Sequence, residues 1–444
     1  MTIFPASAMA AILFVSLNPE LEGRWGGELD VGAAQLRIEI VLDESDGSWS
    51  GELISVDQGN ARVPATSVTV EGDRVIIELS AASARYEGTL TPNSQLDGEF
   101  EQVGQTFELD MARMAQPAET NAPPARYDND RDIRVLNGEV TLAGSLRLPE
   151  GANTVPGVVF ISGSGPQDRD MTVGEHRVFL TLAEHLADAG IASLRLDDRG
   201  VGDSAAIIPH HPQDIADDMG AALTELRLQP DVNGQCVGFI GHSEGGSLAL
   251  MAAGSSAPDF ILSLAGMHAS MADTLIEQGE AIVRASGGSD ADVAAQRAVQ
   301  DVVMTALRDT PVGEAGPAIE AGLIEAGLPE QIARQQAMIW GQAYAQNALD
   351  LDPAPYMQAY PGLFSALFGG SDLQVLANVM SERIIAARGA LPTRVSTLAG
   401  HNHLFQLEAS GLPTGYTTAP HAMSPEALAT IVEEVQNLID MSCQ

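Results

Sequence analysis

The stretch FIGHSEGGSLAL, residues 239–250, decides how this chain is interpreted. Apolar residues lead into Gly-His-Ser-Glu-Gly-Gly and apolar residues follow it, which is typical of a buried strand that turns sharply into a helix. A serine on such a turn has its hydroxyl raised above the strand end, and the crowded turn needs Gly241 and Gly245, which have no Cβ. The G-x-S-x-G string is weak in a chain with 44 glycines, so its surroundings must support the prediction.

Strand-like and helix-like segments alternate on both sides of Ser243. Strands are predicted at 157–165, 191–200, 236–243 and 260–266, with helices at 177–190, 214–229 and from 243 to about 253. Further along, strands are predicted at 362–372 and 394–400, with helices at 374–388 and 424–441. This alternation predicts a parallel sheet with right-handed crossovers, in which ligands bind at the carboxyl ends of the strands.

The α/β pattern is interrupted between residues 268 and 350, where the spacing is helical and contains no strand pattern. We predict a helical cap at 268–350, inserted into a domain formed by 130–267 and 351–444. The large cap side chains that either line a substrate pocket or pack within the cap are Met304, Met338, Trp340 and Tyr344. Packing within the cap is favoured, because each helix must bury one apolar stripe.

Residues 1–129 have a different pattern. Short alternating runs separated by Asp-Gly and Gly-Asp turns predict a small antiparallel β domain at 21–112. Residues 113–129 are rich in Pro, Ala and polar side chains and are predicted to be a linker. Residues 1–20 contain a short apolar run with no Arg or Lys before it, so they are either a weak signal peptide or a tail. We expect an exported protein, periplasmic or secreted, with a cytoplasmic location as the alternative.

The charge balance excludes several classes of function. The formal net charge is −38, from 22 basic and 60 acidic residues, and every basic residue is an arginine. Nucleic acid is disfavoured as a partner because its binding needs clustered cations. Without lysine, the chain can have no P-loop and no Schiff base. No apolar run reaches the about 18 residues that a membrane span needs. The acidity reflects either adaptation to salt or codon bias with drift.

Cysteine occurs twice, at Cys236 and Cys443. Two cysteines provide neither a disulfide framework nor the spacing of a zinc site. Cys236 opens an apolar run and is interpreted as a buried thiol; a bridge between Cys236 and Cys443 is possible, but the sequence does not argue for it. No metal and no cofactor are expected.

The residues after Ser243 offer the groups that would make it a nucleophile. A serine hydroxyl needs a base to accept its proton, normally a histidine that a carboxylate orients. On sheets of this kind the acid precedes the histidine in the chain. Asp372 stands at the end of one predicted strand, and His401 and His403 follow the next. We expect Ser243, Asp372 and one of these histidines to meet at the sheet edge, with Asp352 as the weaker candidate for the acid.

Five motifs in this order resemble the serine esterases of the α/β-hydrolase superfamily. They are SGSGPQDRD (162–170), RLDDRGVGDS (195–204), GHSEGG (241–246), GGSDLQV (369–375) and NHLFQ (402–406). The resemblance implies an α/β-hydrolase fold with a helical cap insertion, preceded by a small all-β domain. It also implies that His403, rather than His401 or His421, is the base. Two features depart from the pattern: LANVMS (376–381) replaces a Pro-rich stretch, and His401 stands where many relatives have a neutral residue.

An oxyanion hole needs backbone N–H groups that point at the developing negative charge. We expect one donor from Glu244, directly after the serine. The second should come from Ser164 in the SGSG turn, with Gly163 and Gly165 as the neighbouring alternatives.

Charged side chains around the predicted site are interpreted in two ways. The carboxylate of Glu244 either pairs with an arginine such as Arg169 or Arg199, or is solvated. The Asp198-Arg199 pair in the second motif is expected to fix a loop through a buried ion pair rather than to touch substrate.

The sequence thus predicts a serine hydrolase that cleaves small carboxylic esters through an acyl-serine intermediate. A peptidase is the nearest alternative, since G-x-S-x-G does not set the leaving group, and thioesters or lactones are open for the same reason. A binding protein that kept the fold without the chemistry is the alternative from another class. The oligomeric state and the role of the β domain are left open.

Overall fold

The structure is a computed structural model that describes residues 21–30, 35–45, 48–55, 61–79, 82, 84–102, 105–114, 130–151, 154–205 and 209–443. The chain divides into two compact units, Met1–Pro124 and Ala125–Gln444. The predicted signal peptide or tail at 1–20 and nearly all of the predicted linker at 113–129 lie outside the described residues. Among the helices in these described ranges, none is both long enough and apolar enough to cross a bilayer.

The smaller unit is an antiparallel β sheet, as the alternating pattern predicts. Its strands are β1 (Gly23–Asp30), β2 (Gln35–Ser45), β3 (Ser48–Ser55), β4 (Ala61–Pro64), β5 (Ser67–Glu71), β6 (Arg74–Leu79), β7 (Ala84–Leu90), β8 (Gln95–Gln102), β9 (Gln105–Glu108) and β10 (Met111–Arg113). They are paired in the order β4-β3-β2-β1-β10-β8-β7-β6-β5, and β9 pairs with β8.

Period-two alternation builds the core of this unit. In β6 every second side chain, namely Val75, Ile77 and Leu79, is buried. Trp25 of β1 is fully buried, its indole N–H donates to the Leu21 carbonyl at 3.0 Å, and the guanidinium of Arg113 lies 4.6 Å from the ring centre. The alternation therefore places one face of each strand in a single apolar core.

The larger unit is built on a mixed sheet. Its strands are β11 (Asp130–Asn137), β12 (Val140–Arg147), β13 (Val155–Ile161), β16 (Ala192–Leu196), β17 (Val232–His242), β18 (Phe260–Leu264), β19 (Leu363–Gly369) and β20 (Thr393–Leu398), with a short hairpin of β14 (Thr172–Val173) and β15 (His176–Arg177) outside it. The sheet order is β11-β12-β16-β13-β17-β18-β19-β20. The prediction of a purely parallel sheet is wrong at one edge, because β11 and β12 pair with each other and with β16 in antiparallel fashion.

Helices cover both faces of this sheet. They are α1 (Val178–Asp188), α2 (Pro212–Leu228), α3 (Glu244–Ser256), α4 (Met271–Ala285), α5 (Asp290–Asp309), α6 (Ala315–Glu325), α7 (Glu330–Trp340), α8 (Ala343–Ala348), α9 (Ala354–Ala359), α10 (Ala377–Arg388) and α11 (Pro425–Ser442). Apolar side chains of α1 and α11 form the core on one face, and those of α2, α3 and α10 form the core on the other. The helices α4–α9 lie between β18 and β19; α4–α8 fall within the predicted insertion 268–350, and α9 follows it.

A disulfide joins Cys236 of β17 to Cys443, directly after α11. The interpretation of Cys236 as a free buried thiol is therefore wrong. The two residues are 207 positions apart in sequence, so the bond closes a long loop and restricts the unfolded chain. It fastens the last helix to the strand that leads to Ser243.

The start of β19, the strand that leads to Asp372, is held by Arg388 at the end of α10. The Arg388 side chain is 2% exposed. Its guanidinium donates to the carbonyls of Met357, Tyr360, Gly362 and Pro392 over 2.9–3.0 Å. The burial of this charge lowers the pKa of Arg388 from its usual value. Arg388 thus acts as a cross-link between backbone segments.

Replacing Arg388 with methionine should destabilise the larger unit by about 3–5 kcal/mol, because several buried carbonyls would lose their donor while the apolar stem is kept. Urea unfolding followed by tryptophan fluorescence and circular dichroism measures the change. Arg388→Lys keeps the charge but has fewer hydrogen-bond donors, so its stability should lie between that of wild type and that of Arg388→Met. A methionine variant within 1 kcal/mol of wild type would contradict this role.

Candidate active site

Ser243 lies on the sharp turn between β17 and α3. Its backbone has φ 54° and ψ −123°, in the region that L residues rarely adopt. A Cβ added at Gly241 would lie 2.2 Å from the carbonyl oxygen of Gly245, and one at Gly245 would lie 2.3 Å from that of Ile161. Both glycines are therefore required by close backbone packing, for the reason that the sequence indicates.

Neighbouring backbone holds this strained turn in place. The N–H of Ser243 donates to the Leu264 carbonyl at 3.0 Å, and its carbonyl accepts from Gly246 at 3.0 Å and from Met267 at 2.9 Å. The serine itself is only partly buried. A strained residue persists only where its surroundings over-determine it, and such residues concentrate at functional sites.

Asp372 and His403 come together, as the order of the motifs implies. Asp372 follows β19, and its Oδ2 accepts a hydrogen bond from His403 Nδ1 at 2.7 Å. Its Oδ1 accepts from the backbone N–H groups of Gln374 at 2.8 Å and Val375 at 3.0 Å. Because Nδ1 donates to a carboxylate, the neutral His403 ring carries a lone pair on Nε2. Both side chains are about 5% exposed or less.

His242, directly before Ser243, connects the turn to the loop that carries His403. Its Nε2 donates to the His403 carbonyl at 3.0 Å, and the two ring centres are 4.7 Å apart. Burial, with a smaller effect from the His403 charge, lowers the pKa of His242 to about 3, so the ring is neutral at ordinary pH. The contact positions His403 beside the serine turn. The sequence interpretation had not assigned His242 a role.

The rival candidates have other partners. His401 is fully buried, with Nδ1 3.0 Å from the Ala399 carbonyl and Nε2 2.7 Å from Ser424 Oγ. Asp352 is exposed and accepts the N–H of Ala354 at the start of α9. His421 is exposed. The structure therefore brings His403, and neither of the other histidines, to Asp372.

The expected oxyanion-hole residues flank the serine. Glu244 is the first residue of α3, so its N–H has no partner within the helix. On the other side, a Cβ at Gly163 would lie 3.0 Å from Ser243 Cβ, which places the turn containing Ser164 against the serine.

Asp198 fixes the turn that contains Gly163 and Ser164. It accepts the N–H of Gln167 at 2.9 Å and the hydroxyl of Ser162 at 3.1 Å, and burial raises the pKa of Asp198 to about 7. Arg199 makes a separate ion pair with Asp218 of α2 at 2.6 Å. The pair Asp198-Arg199 thus fixes loops as expected, but each residue does so with its own partner.

The chain was compared with known proteins. The profile of the X-Pro dipeptidyl-peptidase family (S15) matches residues 137–339. Esterase EstD of Thermotoga maritima is 31% identical over 140 residues, which are 31% of this chain and 32% of that enzyme. This chain therefore aligns with about a third of the length of that relative.

The chain also aligns with solved structures. The α/β hydrolase GrgF of Penicillium sp. sh18 aligns with a TM-score of 0.46 and 14% identity, over 70% of this chain and 98% of that one. An esterase of Pyrococcus furiosus aligns with a TM-score of 0.45 and 13% identity, over 71% and 92%. In the present chain, an antiparallel strand pair precedes the parallel strands, and the serine turn follows the central strand β17. The larger unit has the α/β-hydrolase fold. The fold implied by the five motifs is confirmed.

The side chain of Glu244 has partners that the sequence did not predict. It is 3% exposed. The hydroxyl of Tyr344, in α8, donates to its Oε1 at 2.8 Å, and the nearby side chain of Ser164 favours the ionised form of the carboxyl. Burial raises the pKa of the Glu244 carboxyl above its usual value. Both earlier interpretations are wrong: the carboxyl is not solvated, and Arg169 pairs instead with Asp197 at 2.5 Å.

The cap side chains divide between packing and the site of the α/β-hydrolase unit. Met304 is buried in the core of the insertion and Trp340 packs against that core, as favoured from the sequence. Met338 is 37% exposed. Tyr344 hydrogen-bonds to Glu244, the residue next to Ser243.

A second serine and histidine lie beneath the turn. Ser263, at the end of β18, hydrogen-bonds through Oγ to His268 Nε2 at 2.8 Å, and both side chains are 1% exposed or less. Burial, followed by the charge of Arg388, lowers the pKa of His268 to about 3. Complete burial makes this pair a structural support of the turn.

Replacing His268 with glutamine should flatten the dependence of stability on pH. The unfolded histidine binds a proton below about pH 6.5 whereas the folded one does not, so wild-type stability is lost as the pH falls from 6.5 towards 3. One such group contributes up to about 1.4 kcal/mol per pH unit. Urea unfolding of both proteins at pH 7, 6 and 5 should show the stability difference shrinking or reversing by about 2 kcal/mol. Parallel stability curves would contradict a buried neutral His268.

Proposed function

We propose that the α/β-hydrolase unit is a serine hydrolase that cleaves carboxylic esters of small molecules. The observation that supports this most is the strained Ser243 turn beside a histidine that hydrogen-bonds to a buried aspartate. The stability of the fold does not require a strained serine and a hydrogen-bonded His-Asp pair at the same place. A serine nucleophile needs both.

In this proposal Ser243 Oγ attacks the ester carbonyl while its proton passes to His403 Nε2. Asp372 holds the ring through Nδ1 and stabilises the imidazolium that forms. The tetrahedral oxyanion accepts hydrogen bonds from the N–H groups of Glu244 and Ser164. His403 then gives the proton to the leaving alcohol, which leaves an acyl-Ser243 ester. A water molecule activated by His403 cleaves that ester and releases the acid.

The experiment is turnover of p-nitrophenyl esters of increasing acyl length by the purified protein. The expected result is release of p-nitrophenolate at an initial rate that saturates as the ester concentration increases. The chain length with the highest kcat/KM then gives the size of the acyl group that the site accepts. Absence of turnover on every ester would contradict the proposal.

A peptidase is the second candidate, because the profile of the X-Pro dipeptidyl-peptidase family matches residues 137–339. The two leaving groups distinguish the candidates: an amide nitrogen must be protonated as it leaves, whereas p-nitrophenolate needs no proton. Ala-Pro-p-nitroanilide assayed beside the esters separates them, and cleavage of the anilide at a comparable kcat/KM would favour the peptidase. Thioesters and lactones are tested in the same series.

We also propose that the protein is exported. The Cys236–Cys443 disulfide supports this, since such bonds form and persist in oxidising compartments. Fractionation of cells that produce the protein should recover it outside the cytoplasm. Recovery only from the cytosol, with both thiols reduced, would contradict it.

A further inference from the structure

One buried carboxyl connects three parts of the proposed active site. Glu244 is the residue after Ser243, and its N–H is a proposed oxyanion donor. The turn that supplies the other proposed donor, Ser164, lies against Ser243, since a Cβ added at Gly163 would lie 3.0 Å from Ser243 Cβ, and the Ser164 side chain favours the ionised form of the Glu244 carboxyl. The carboxyl also accepts from the Tyr344 hydroxyl, 100 residues away on α8 of the insertion.

Tyr344 is a suitable fixed donor for this contact. Burial, together with the neighbouring Glu244, raises the pKa of the Tyr344 hydroxyl well above its usual value, so the hydroxyl keeps its proton. A hydroxyl that stays protonated can donate to Oε1 of the ionised carboxylate. It can also donate to Oε1 of the neutral carboxyl when the carboxyl proton is on Oε2. The contact therefore persists over the working pH range of a hydrolase.

The helix that carries Tyr344 packs against the serine turn. Ala348, also on α8, forms a buried apolar cluster with Met267 and Met271, and Trp340 and Tyr344 pack against that cluster. The N–H of Met267 donates to the carbonyl of Ser243. Apolar packing thus places α8 against the turn, and the Tyr344 hydrogen bond adds a directed contact to it.

We infer that Glu244 is a positioning residue: through Tyr344 and Ser164 its carboxyl holds α8 and the Ser164 turn on the serine turn, so that the two oxyanion donors keep their spacing. This inference rests on the proposed function. It differs from a role of Tyr344 in lining an acyl pocket, since a positioning residue acts on the transition state of every ester and a pocket residue acts on selected acyl groups.

The test compares kcat and KM of Tyr344→Phe with wild type on a short and a long p-nitrophenyl ester. Loss of the directed contact should lower kcat about tenfold on both esters and change KM less than twofold, because misplaced donors weaken transition-state binding. Glu244→Gln keeps an oxygen that accepts from Tyr344 and should stay within about threefold of wild type, whereas Glu244→Ala should lose about 100-fold.

The matched control is Tyr360→Phe. Tyr360 is a buried tyrosine whose hydroxyl donates to the Pro258 carbonyl, beyond the far end of α3. Tyr360→Phe removes a buried tyrosine hydroxyl, as Tyr344→Phe does, but at a distance from the serine turn. The kcat of Tyr360→Phe should therefore equal that of wild type. The double variant Tyr344→Phe/Glu244→Ala should be no slower than Glu244→Ala, because Glu244→Ala alone already removes the hydrogen bond that Tyr344→Phe removes.

Two results would overturn the inference. One is a Tyr344→Phe variant that matches wild type in kcat while wild type hydrolyses esters. The other is a loss confined to KM of the long ester, which would make Tyr344 a pocket residue. If wild type hydrolyses no ester, the proposed function fails and this inference fails with it, so the two failures are distinguished by the wild-type rate.

Discussion

Ser243→Ala should lower kcat for p-nitrophenyl ester hydrolysis by about 10⁴- to 10⁶-fold. The variant lacks the oxygen that forms the acyl bond, and His403 has no other hydroxyl of this turn to activate. The backbone should be unchanged, since alanine occupies the same φ with a similar strain and a Cβ already fits there. Initial rates on butyrate and acetate esters measure the loss.

The matched control for this prediction is Ser255→Ala, on the same helix α3 but near its other end, where the hydroxyl bonds only to the Ala252 carbonyl among the described residues. Its rates should equal those of wild type. A Ser243→Ala variant that keeps more than about a tenth of wild-type activity would mean that hydrolysis, if present, uses another nucleophile.

Asp372→Asn should lower kcat by about 10³- to 10⁴-fold with little change in KM. The asparagine amide can donate to His403 Nδ1, which would move the ring proton to Nε2 and remove the lone pair that Ser243 needs. Both backbone N–H bonds to the side chain can be kept by the amide oxygen, so the fold should be retained. Steady-state rates and circular dichroism of the purified variant measure both effects.

Two control variants test the choice of the acid and the base. Asp352→Asn changes an exposed aspartate that accepts the N–H of Ala354 at the start of α9 and should leave kcat within about twofold of wild type. His401→Gln should lower stability, because His401 is fully buried and its ring hydrogen-bonds to the Ala399 carbonyl and to Ser424 Oγ. It should not lower kcat as Asp372→Asn does. An inactive Asp352→Asn beside an active Asp372→Asn would reverse the assignment.

The sequence predicted the parts of the fold that depend on local patterns. The strand, the tight turn and the helix around Ser243 follow from apolar periodicity and from glycines that backbone packing requires. The positions of Asp372 and His403 follow from the rule that parallel strands end at one edge. A strand pair was missed, although Asn137-Gly138 between two apolar runs is a hairpin signal that predicts β11 and β12.

Long-range contacts between polar side chains could not be predicted in this way. Glu244 and Tyr344 are 100 residues apart, and no periodicity links a carboxylate on α3 to a hydroxyl on α8. The Cys236–Cys443 bond depends in the same way on where α11 ends against the sheet. The order of the motifs predicts that Asp372 and His403 lie near Ser243. The side-chain contacts that hold these residues in place depend on tertiary packing.

Labelling with a fluorophosphonate, which reacts covalently with an activated serine, tests directly whether Ser243 is the nucleophile. The quantity to determine is the residue that carries the label. The protein has no lysine, so trypsin cuts only at arginine. Once the Cys236–Cys443 disulfide is reduced, trypsin releases residues 228–284 as one peptide, which also contains Ser247, Ser255, Ser256, Ser263 and Ser270. Fragmentation of that peptide locates the adduct. The expected result is one phosphonate per chain, on Ser243, formed far more slowly in Asp372→Asn. No adduct, or an adduct on another serine, would contradict it.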